Sequence, residues 1–205
     1  MIWAKIGNKR VMAYPKAKEA YCEICNSVLI AKCGNIKVWH WAHKNAEDCD
    51  SWREEETEWH KKWKNQFPEE CQEVKIGKHR ADVKYQGLII EFQHSPISTN
   101  QIEEREDFYD NMIWVLHGES LCGGLELRKK EEIYTFRWRH PPKSWWMAKK
   151  GILIDLIGKM GCIGKSHNYF TGKFLFLIKK LYKNVPCGGW GKVIAKEDFI
   201  KCPSI

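Results

Sequence analysis

Apolar and polar positions recur regularly enough along this chain to predict most of its elements before any chemistry is considered. The sharpest pattern is His79–Tyr85 followed by Leu88–Gln93 across a Gln86-Gly87 turn, which predicts a β-hairpin. Its second strand opens on three apolar residues, Leu88, Ile89 and Ile90, and such a run belongs in a sheet covered on both faces. Met112–His117, reading MIWVLH, predicts another buried strand. Between the two, the spacing predicts a helix over 98–111 capped by Ser98. Ile102, Arg105, Phe108 and Tyr109 share one face of it and acids fill the other. Arg105 on an apolar face needs a carboxylate or a phosphate as partner. A helix linking the two strands makes them parallel.

Upstream, 52–67 predicts a helix ended by Pro68, with Ser51 as N-cap, Glu54, Glu55 and Glu56 in its first turn, and Glu54 and Glu55 as solvated charge. Trp52, Trp59, Trp63 and Phe67 then form an aromatic stripe toward the core. Before it, 1–21 reads as a strand pair, and Val28–Lys32 and 38–43 as further strands; 71–76 is a strand after it. Downstream, Ile133–Trp138 is a strand, and Pro141-Pro142 with Trp145-Trp146 marks a corner. The run 152–157 reads as a strand, as does Phe174–Tyr182, with a helix as the alternative for the latter. A short helix closes the chain at 197–201. The chain is therefore α/β or α+β.

The polar residues inside these patterns carry the chemistry. Glu91 and Gln93 are two apart on a strand and share a face. Asp82, across the predicted hairpin, is placed to bring a second carboxylate to the same spot. A buried carboxylate is costly unless something compensates its charge. Two carboxylates and an amide outline a divalent-cation site, since Mg²⁺ takes oxygen ligands and uses one or two carboxylates. Nearer the start, Cys22-Glu23-Ile24-Cys25 is a CxxC knuckle, and His43 and Cys49 return after a hairpin. That spacing fits a tetrahedral structural zinc site, with His40 as the rival fourth ligand. Cys162, Cys187 and Cys202 lack ligand spacing and read as buried or incidental thiols.

The pattern of Asp82, Glu91 and Gln93 resembles the PD-(D/E)XK nuclease superfamily, with Gln93 where the usual lysine stands. It resembles more closely the nuclease domain of the competence protein CoiA family. The phrases that carry the resemblance are RADV (80–83), IEFQHSPIS (90–98) and EREDFYDNMIWVL (104–116). The resemblance also favours zinc, because such proteins look as though they begin with a CxxC…H-[FW]-A-H module. It implies a restriction-endonuclease-like core, to which the order helix, three strands, helix, strand conforms. It carries Glu58 and His60 over as additional site residues. It implies a domain layout of a zinc-finger-like module at 1–51, a nuclease-like core at 52–118 and a basic, β-rich C-terminal extension at 119–205. The implied activity is Mg²⁺- or Mn²⁺-dependent hydrolysis of DNA, on imported or single-stranded substrate, with Asp82 and Glu91 holding magnesium. Gln93 would orient the water, and His60, Lys61 or Lys62 would replace the missing lysine charge.

Composition bounds these readings. The chain has 205 residues, 43% hydrophobic and 29% charged, an ordinary globular balance. Net charge is +8. Residues 151–205 hold nine lysines against three acids, a surface suited to nucleic acid or simply to solvent. No apolar run is long enough to cross a bilayer, and the start lacks the layout of a signal peptide, so a cytoplasmic protein with no membrane partner is expected. Nine cysteines in that compartment point to metal rather than disulfides. A non-catalytic nucleic-acid-binding protein, or an adaptor presenting its exposed tryptophans to protein partners, is the alternative to an enzyme.

Overall fold

A computed structural model of the chain describes residues 1–45, 49–52, 54–157, 161–162, 172–183 and 187–203. The chain divides into two compact units, Met1–Tyr85 and Gln86–Ile205. It is a sheet-rich α+β protein with few helices.

The first unit begins with five short strands: β1 (Trp3–Ile6), β2 (Lys9–Met12), β3 (Ala20–Tyr21), β4 (Val28–Lys32) and β5 (His40–His43). They form an antiparallel sheet in the order β2-β1-β3-β4-β5. Ala4, Ala13, Ala20, Cys22, Leu29 and Trp41 make its small core. Next come helix α1 (Glu58–Lys64) and the hairpin of β6 (Gln72–Ile76) and β7 (His79–Tyr85). Helix α1 is shorter than 52–67, and its N-cap is Thr57, whose hydroxyl accepts from His60 N, rather than Ser51. Glu54, Glu55 and Glu56 therefore precede the helix instead of filling its first turn. Trp52 leaves the expected aromatic stripe and stacks on His79, ring centroids 3.3 Å apart. A polar segment with no buried apolar positions before Glu58 gains nothing from helix, and Thr57 supplies the better cap.

The second unit holds β8 (Leu88–Gln93), α2 (Thr99–Phe108), β9 (Met112–His117), α3 (Gly118–Leu121), β10 (Leu125–Lys130) and β11 (Ile133–Trp138). These are followed by β12 (Gly151–Asp155), β13 (Gly161–Cys162), β14 (Phe174–Tyr182), β15 (Cys187–Ala195) and α4 (Lys196–Lys201). Within this unit the strands run in the order β13-β10-β11-β15-β14-β12-β9-β8. Strands β8, β9 and β12 are mutually parallel, as a helix between β8 and β9 requires. Every residue of β8 is buried, in keeping with its apolar opening. Phe174–Tyr182 is a strand, antiparallel to both β12 and β15. Strands β10, β13 and β15 went unread in the sequence. In β15 the glycines are steric necessities: a Cβ at Gly189 would lie 1.9 Å from the Lys180 carbonyl oxygen.

Helix α2 begins with a full capping box between Ser98 and Gln101. Its buried face is Ile102, Arg105 and Glu106, so one acid of the expected solvated side is in fact interior. Glu106 accepts from Trp114 Nε1 at 3.0 Å and from the backbone N–H groups of Lys149 and Lys150 at 2.8 and 3.1 Å. One carboxylate thus joins α2, β9 and the approach to β12. Replacing Glu106 by Ala leaves the buried Trp114 Nε1 and two part-buried backbone donors without their acceptor and should cost roughly 1–3 kcal/mol. Urea unfolding of Glu106→Ala against the wild type checks this.

Candidate functional site

The four N-terminal ligand candidates converge. Donor atoms of Cys22, Cys25, His43 and Cys49 all lie within 4.8 Å of one another. Cys22 Sγ is 3.5 Å from Cys49 Sγ, and Cys25 Sγ is 3.3 Å from His43 Nε2. Around a zinc ion with Zn–S of about 2.3 Å, a tetrahedron puts its ligands roughly 3.5–3.8 Å apart. The knuckle is built by local backbone geometry. Cys22 N donates to Ser27 O, Asn26 N to Cys22 O, and Ile24 N to the Cys22 sulfur. Asn26 takes the left-handed conformation (φ 58°) that this tight turn needs. His40, the rival ligand, instead pairs its Nδ1 with Val38 O at 2.7 Å.

Without a cation these thiols cannot all ionise. Burial works against the Cys25 thiolate, but hydrogen bonds to Ser27, Cys49 and His43 bring it down to about 6. Burial, with the neighbouring Cys25 and Cys22 sulfurs, pushes Cys49 up to about 12. A dipositive ion removes that conflict, and three thiolates with one imidazole fit structural zinc. Around the cluster, Arg80 Nη2 donates to Cys22 Sγ at 3.5 Å. Asp50, next to Cys49, pairs with His79 Nδ1 at 2.8 Å and accepts from Arg80 N at 2.9 Å.

A second charged cluster lies in the same unit. Lys64, 2% exposed, reaches Glu56 Oε2 at 2.7 Å, Glu73 Oε1 at 3.0 Å and Asp82 Oδ1 at 3.6 Å. Glu73 on β6 and Asp82 on β7 lie between the ladder pairs Gln72–Val83 and Val74–Ala81, with Glu73 in a left-handed conformation (φ 47°) that interrupts the ladder. Glu73 also accepts from the backbone N–H groups of Ile2 and Trp3 at 2.8 and 3.1 Å. Burial opposes the Glu73 carboxylate, but Lys64, the amino terminus, Arg80 and the Ile2 amide outweigh it and hold the group well below the usual range. Burial likewise opposes the Lys64 charge, and Glu73, Glu56 and Asp82 more than restore it. Asp82 differs from its neighbours in exposure: its side chain is 24% exposed against 2% for Glu73.

His60 is buried beside this cluster, with Nδ1 2.8 Å from Thr57 Oγ1 and Nε2 3.5 Å from Glu54. Burial disfavours its charged form, yet the Glu54 hydrogen bond and the Asp82 charge raise its pKa above the ordinary value. Glu58 is exposed at the start of α1. In the second unit, buried Glu91 pairs with Arg105 at 3.3 Å, the carboxylate partner that Arg105 requires. Gln93 donates from Nε2 to Ser95 O at 2.8 Å, while its buried Oε1 accepts nothing among the described residues. Lys64, Glu56 and Glu73 escaped the sequence reading. Their signal was present, as a lysine beside buried Trp63 and an acid inside a strand, both demanding partners.

A family model described as competence protein CoiA, N-terminal domain, matches residues 4–51. A second, competence protein CoiA, nuclease-like domain, matches residues 56–139. The chain belongs to the competence protein CoiA family. No curated protein and no solved structure gives a significant match. The CoiA N-terminal match contains the whole Cys3His cluster, and the CoiA nuclease-like match contains α1 through β11, with Asp82, Glu91 and Gln93. Among the described residues no helix is long and apolar enough to cross a membrane.

Two measurements probe these clusters. Elemental analysis should find about one zinc per chain, with Cys25→Ser lowering both zinc content and soluble yield and the exposed Cys202→Ser changing neither. Zinc-free protein that is soluble and folded would overturn the assignment. For Glu73 the folded pKa lies below 4.5, so its contribution is present above that value and disappears as pH falls through the folded one. Unfolding free energy should therefore drop as pH falls from about 5 toward 3, and Glu73→Gln should flatten that slope.

Proposed function

We propose that this protein is a metal-dependent DNA nuclease. The match to a nuclease-like domain carries the reading. Asp82 and Glu91 are the proposed ligands of one or two Mg²⁺ or Mn²⁺ ions, which would activate a water for attack on phosphorus and neutralise charge on the leaving oxygen. Several features support these roles. Asp82 is the one acid around Lys64 with substantial exposure, so it can meet a solvent-borne ion. The buried Oε1 of Gln93, with no donor among the described residues, suits a group that orients a water. Lys64, fixed against Asp82, is a better source of the missing lysine charge than Lys61 or Lys62. His60, its pKa raised by Glu54 and Asp82, is a candidate second cation. Glu58, being exposed, reaches such a site only if the start of α1 rearranges on binding.

DNA is the proposed substrate. Lys179, Lys180 and Lys183 are exposed on or just after β14 and offer phosphate contacts. Of the eleven tryptophans, Trp3, Trp41, Trp63, Trp114, Trp138 and Trp145 are buried, Trp52, Trp59, Trp146 and Trp190 are half-buried and Trp39 is exposed, which disfavours an adaptor built on an aromatic face.

Circular and linear DNA, single- and double-stranded, incubated with Mg²⁺, Mn²⁺ or EDTA, tests the reading. Cleavage should require the divalent ion and vanish in Asp82→Asn and in Glu91→Gln. The two variants should differ in stability. Lys64 keeps Glu56 and Glu73 in Asp82→Asn, so that protein should unfold close to wild type. Arg105 loses its charged partner in Glu91→Gln, at a cost of about 1–3 kcal/mol. Full cleavage by folded Glu91→Gln would mean that the carboxylate is structural, and DNA binding without cleavage in the wild type would leave a binding protein.

A further inference from the structure

Strands β10, β11, β15 and β14 lie side by side in the second unit. One face of this sheet is interior. Leu125, Leu127, Phe136, Trp138 and Phe176 are buried on it, and Phe136 meets Phe176 edge-on with ring centroids 5.5 Å apart. Side chains alternate along a strand, so the residues between these face outward. The register assembles Arg128, Thr135, Trp190 and Lys180, one from each strand, into a single outward row. A bulge between Ile178 and Lys180 brings Lys180 onto that row. Glu126, Arg137, Gly188 and Tyr182 make the neighbouring row.

The outward face is basic. Arg128, Arg137 and Lys180 are exposed, as are Lys130 and Lys192, each two residues beyond the first row. Among the described residues none of the five forms a salt bridge. Glu126, the acid on these rows, is taken up by Arg139, and Glu131 and Glu132 sit in the turn between β10 and β11. Between the cations stand two aromatic side chains, Trp190, half-buried, and Tyr182, 51% exposed. Neither ring packs on another ring among the described residues. They are diagonal neighbours on adjacent strands, a spacing of about 7–8 Å. Gly188, opposite Tyr182 and two residues before Trp190, has no side chain, so the ground between the rings is bare.

Cations alone would suit any polyanion. Flat rings set among them select a partner that has flat faces as well as negative charge. An unpaired nucleic-acid strand supplies both, since its bases stack on aromatic side chains while its phosphates meet Lys and Arg. A duplex keeps its base faces covered, and an acidic peptide has none. We infer that this sheet face binds single-stranded DNA, with bases stacked on Tyr182 and Trp190 and phosphates held by Arg128, Arg137 and Lys180. The inference goes beyond the nuclease reading and rests on it only for the choice of DNA over RNA. Strands β14 and β15, which supply both rings, lie outside the two stretches matched by the family models.

The test uses the full-length, zinc-loaded chain and a short fluorescein-labelled oligothymidine, with no added Mg²⁺ or Mn²⁺, and reads binding by fluorescence anisotropy. Tyr182→Ala should bind about tenfold more weakly with an unchanged unfolding midpoint, and Tyr182→Phe, which keeps the ring, should bind like the wild type. Trp190→Ala should weaken binding in the same way, and the exposed Tyr182 keeps the test decisive if that variant misfolds. Replacing Arg128 and Arg137 together by Gln should reduce the slope of log affinity against log salt by about 1.4. Duplex DNA should bind more weakly and be indifferent to Tyr182→Ala.

Undiminished binding by folded Tyr182→Ala, or an equal loss for duplex and single strand, overturns the stacking surface. Competition by polyglutamate as strong as that by unlabelled oligothymidine overturns the nucleic-acid assignment, and tighter binding of oligouridine overturns the choice of DNA. These outcomes are read without cleavage. The surface can therefore fail while Asp82→Asn and Glu91→Gln abolish cutting, and the nuclease reading can fail while Tyr182→Ala still loses its strand.

Discussion

Buried charge must be compensated where it lies, and much of this fold is arranged around that constraint. Apolar burial is non-directional and leaves register and orientation loosely specified. Ion pairs and charge-assisted hydrogen bonds specify them. In the first unit Lys64 joins α1 to the segment before it through Glu56, and to both strands of the β6–β7 hairpin through Glu73 and Asp82. Glu73 extends the connection to β1 through the amides of Ile2 and Trp3. The second unit repeats the device with Glu91–Arg105, with Glu106 on three donors, and with Asp155–Lys196. Each joins separate elements, and only where several partners share one charge, as around Lys64, does the charge stay matched when one is removed.

The same constraint distinguishes carboxylates that are wholly enclosed from those that meet solvent. Glu73 has its oxygens occupied by an ammonium and two amides, and is almost wholly enclosed. Asp82, on the opposite strand, shares the ammonium at a longer distance and keeps a quarter of its side chain in solvent. An acid so placed is preorganised by Lys64 without being consumed by it. Glu91 is the other extreme, buried and charge-matched by Arg105, so any cation that approaches it competes with a guanidinium. A divalent ion brings twice the charge and tighter oxygen contacts, which is the physical basis on which it could win.

What was legible in the sequence follows from which interactions are local. The hairpin strands, α2 with its Ser98 cap, β9 and the parallel pairing of β8 with β9 are set by short-range pattern and turn chemistry, and all could be read. So could the ligand spacing of Cys22, Cys25, His43 and Cys49, because a knuckle and a returning hairpin are local motifs. The failures have non-local causes. Helix α1 starts late because Glu54 and Glu56 are drawn to His60 and Lys64 in place of helical backbone, a preference that no window of sequence expresses. Strand β15, with CGGWG at its head, lacks alternation because neighbouring strands approach too closely for a Cβ. Glu106 lies on the stripe of Ile102 and Tyr109, four residues after the first and three before the second, but an acid is interior there only if donors reach it. Its donors come from Trp114 and from residues more than forty positions away.

The zinc-type cluster is continuous with β7, and this gives the N-terminal module a consequence beyond its own small core. Asp50, adjacent to Cys49, holds His79 and the Arg80 amide at the first two residues of the strand. Trp52 covers His79 face to face, and Arg80 reaches back to the Cys22 sulfur. The strand that carries Asp82 is therefore anchored at its start by the ligand loop and midway by Lys64. Six apolar residues around Ala4 and Trp41 are a thin core for a five-stranded sheet, and small modules of this kind draw on a bound metal for stability. An ion held by Cys22, Cys25, His43 and Cys49 stabilises Asp50 and Arg80 in their present positions along with the sheet. Asp82 shares no residue with that cluster, so such an ion would bear on it only through the start of β7.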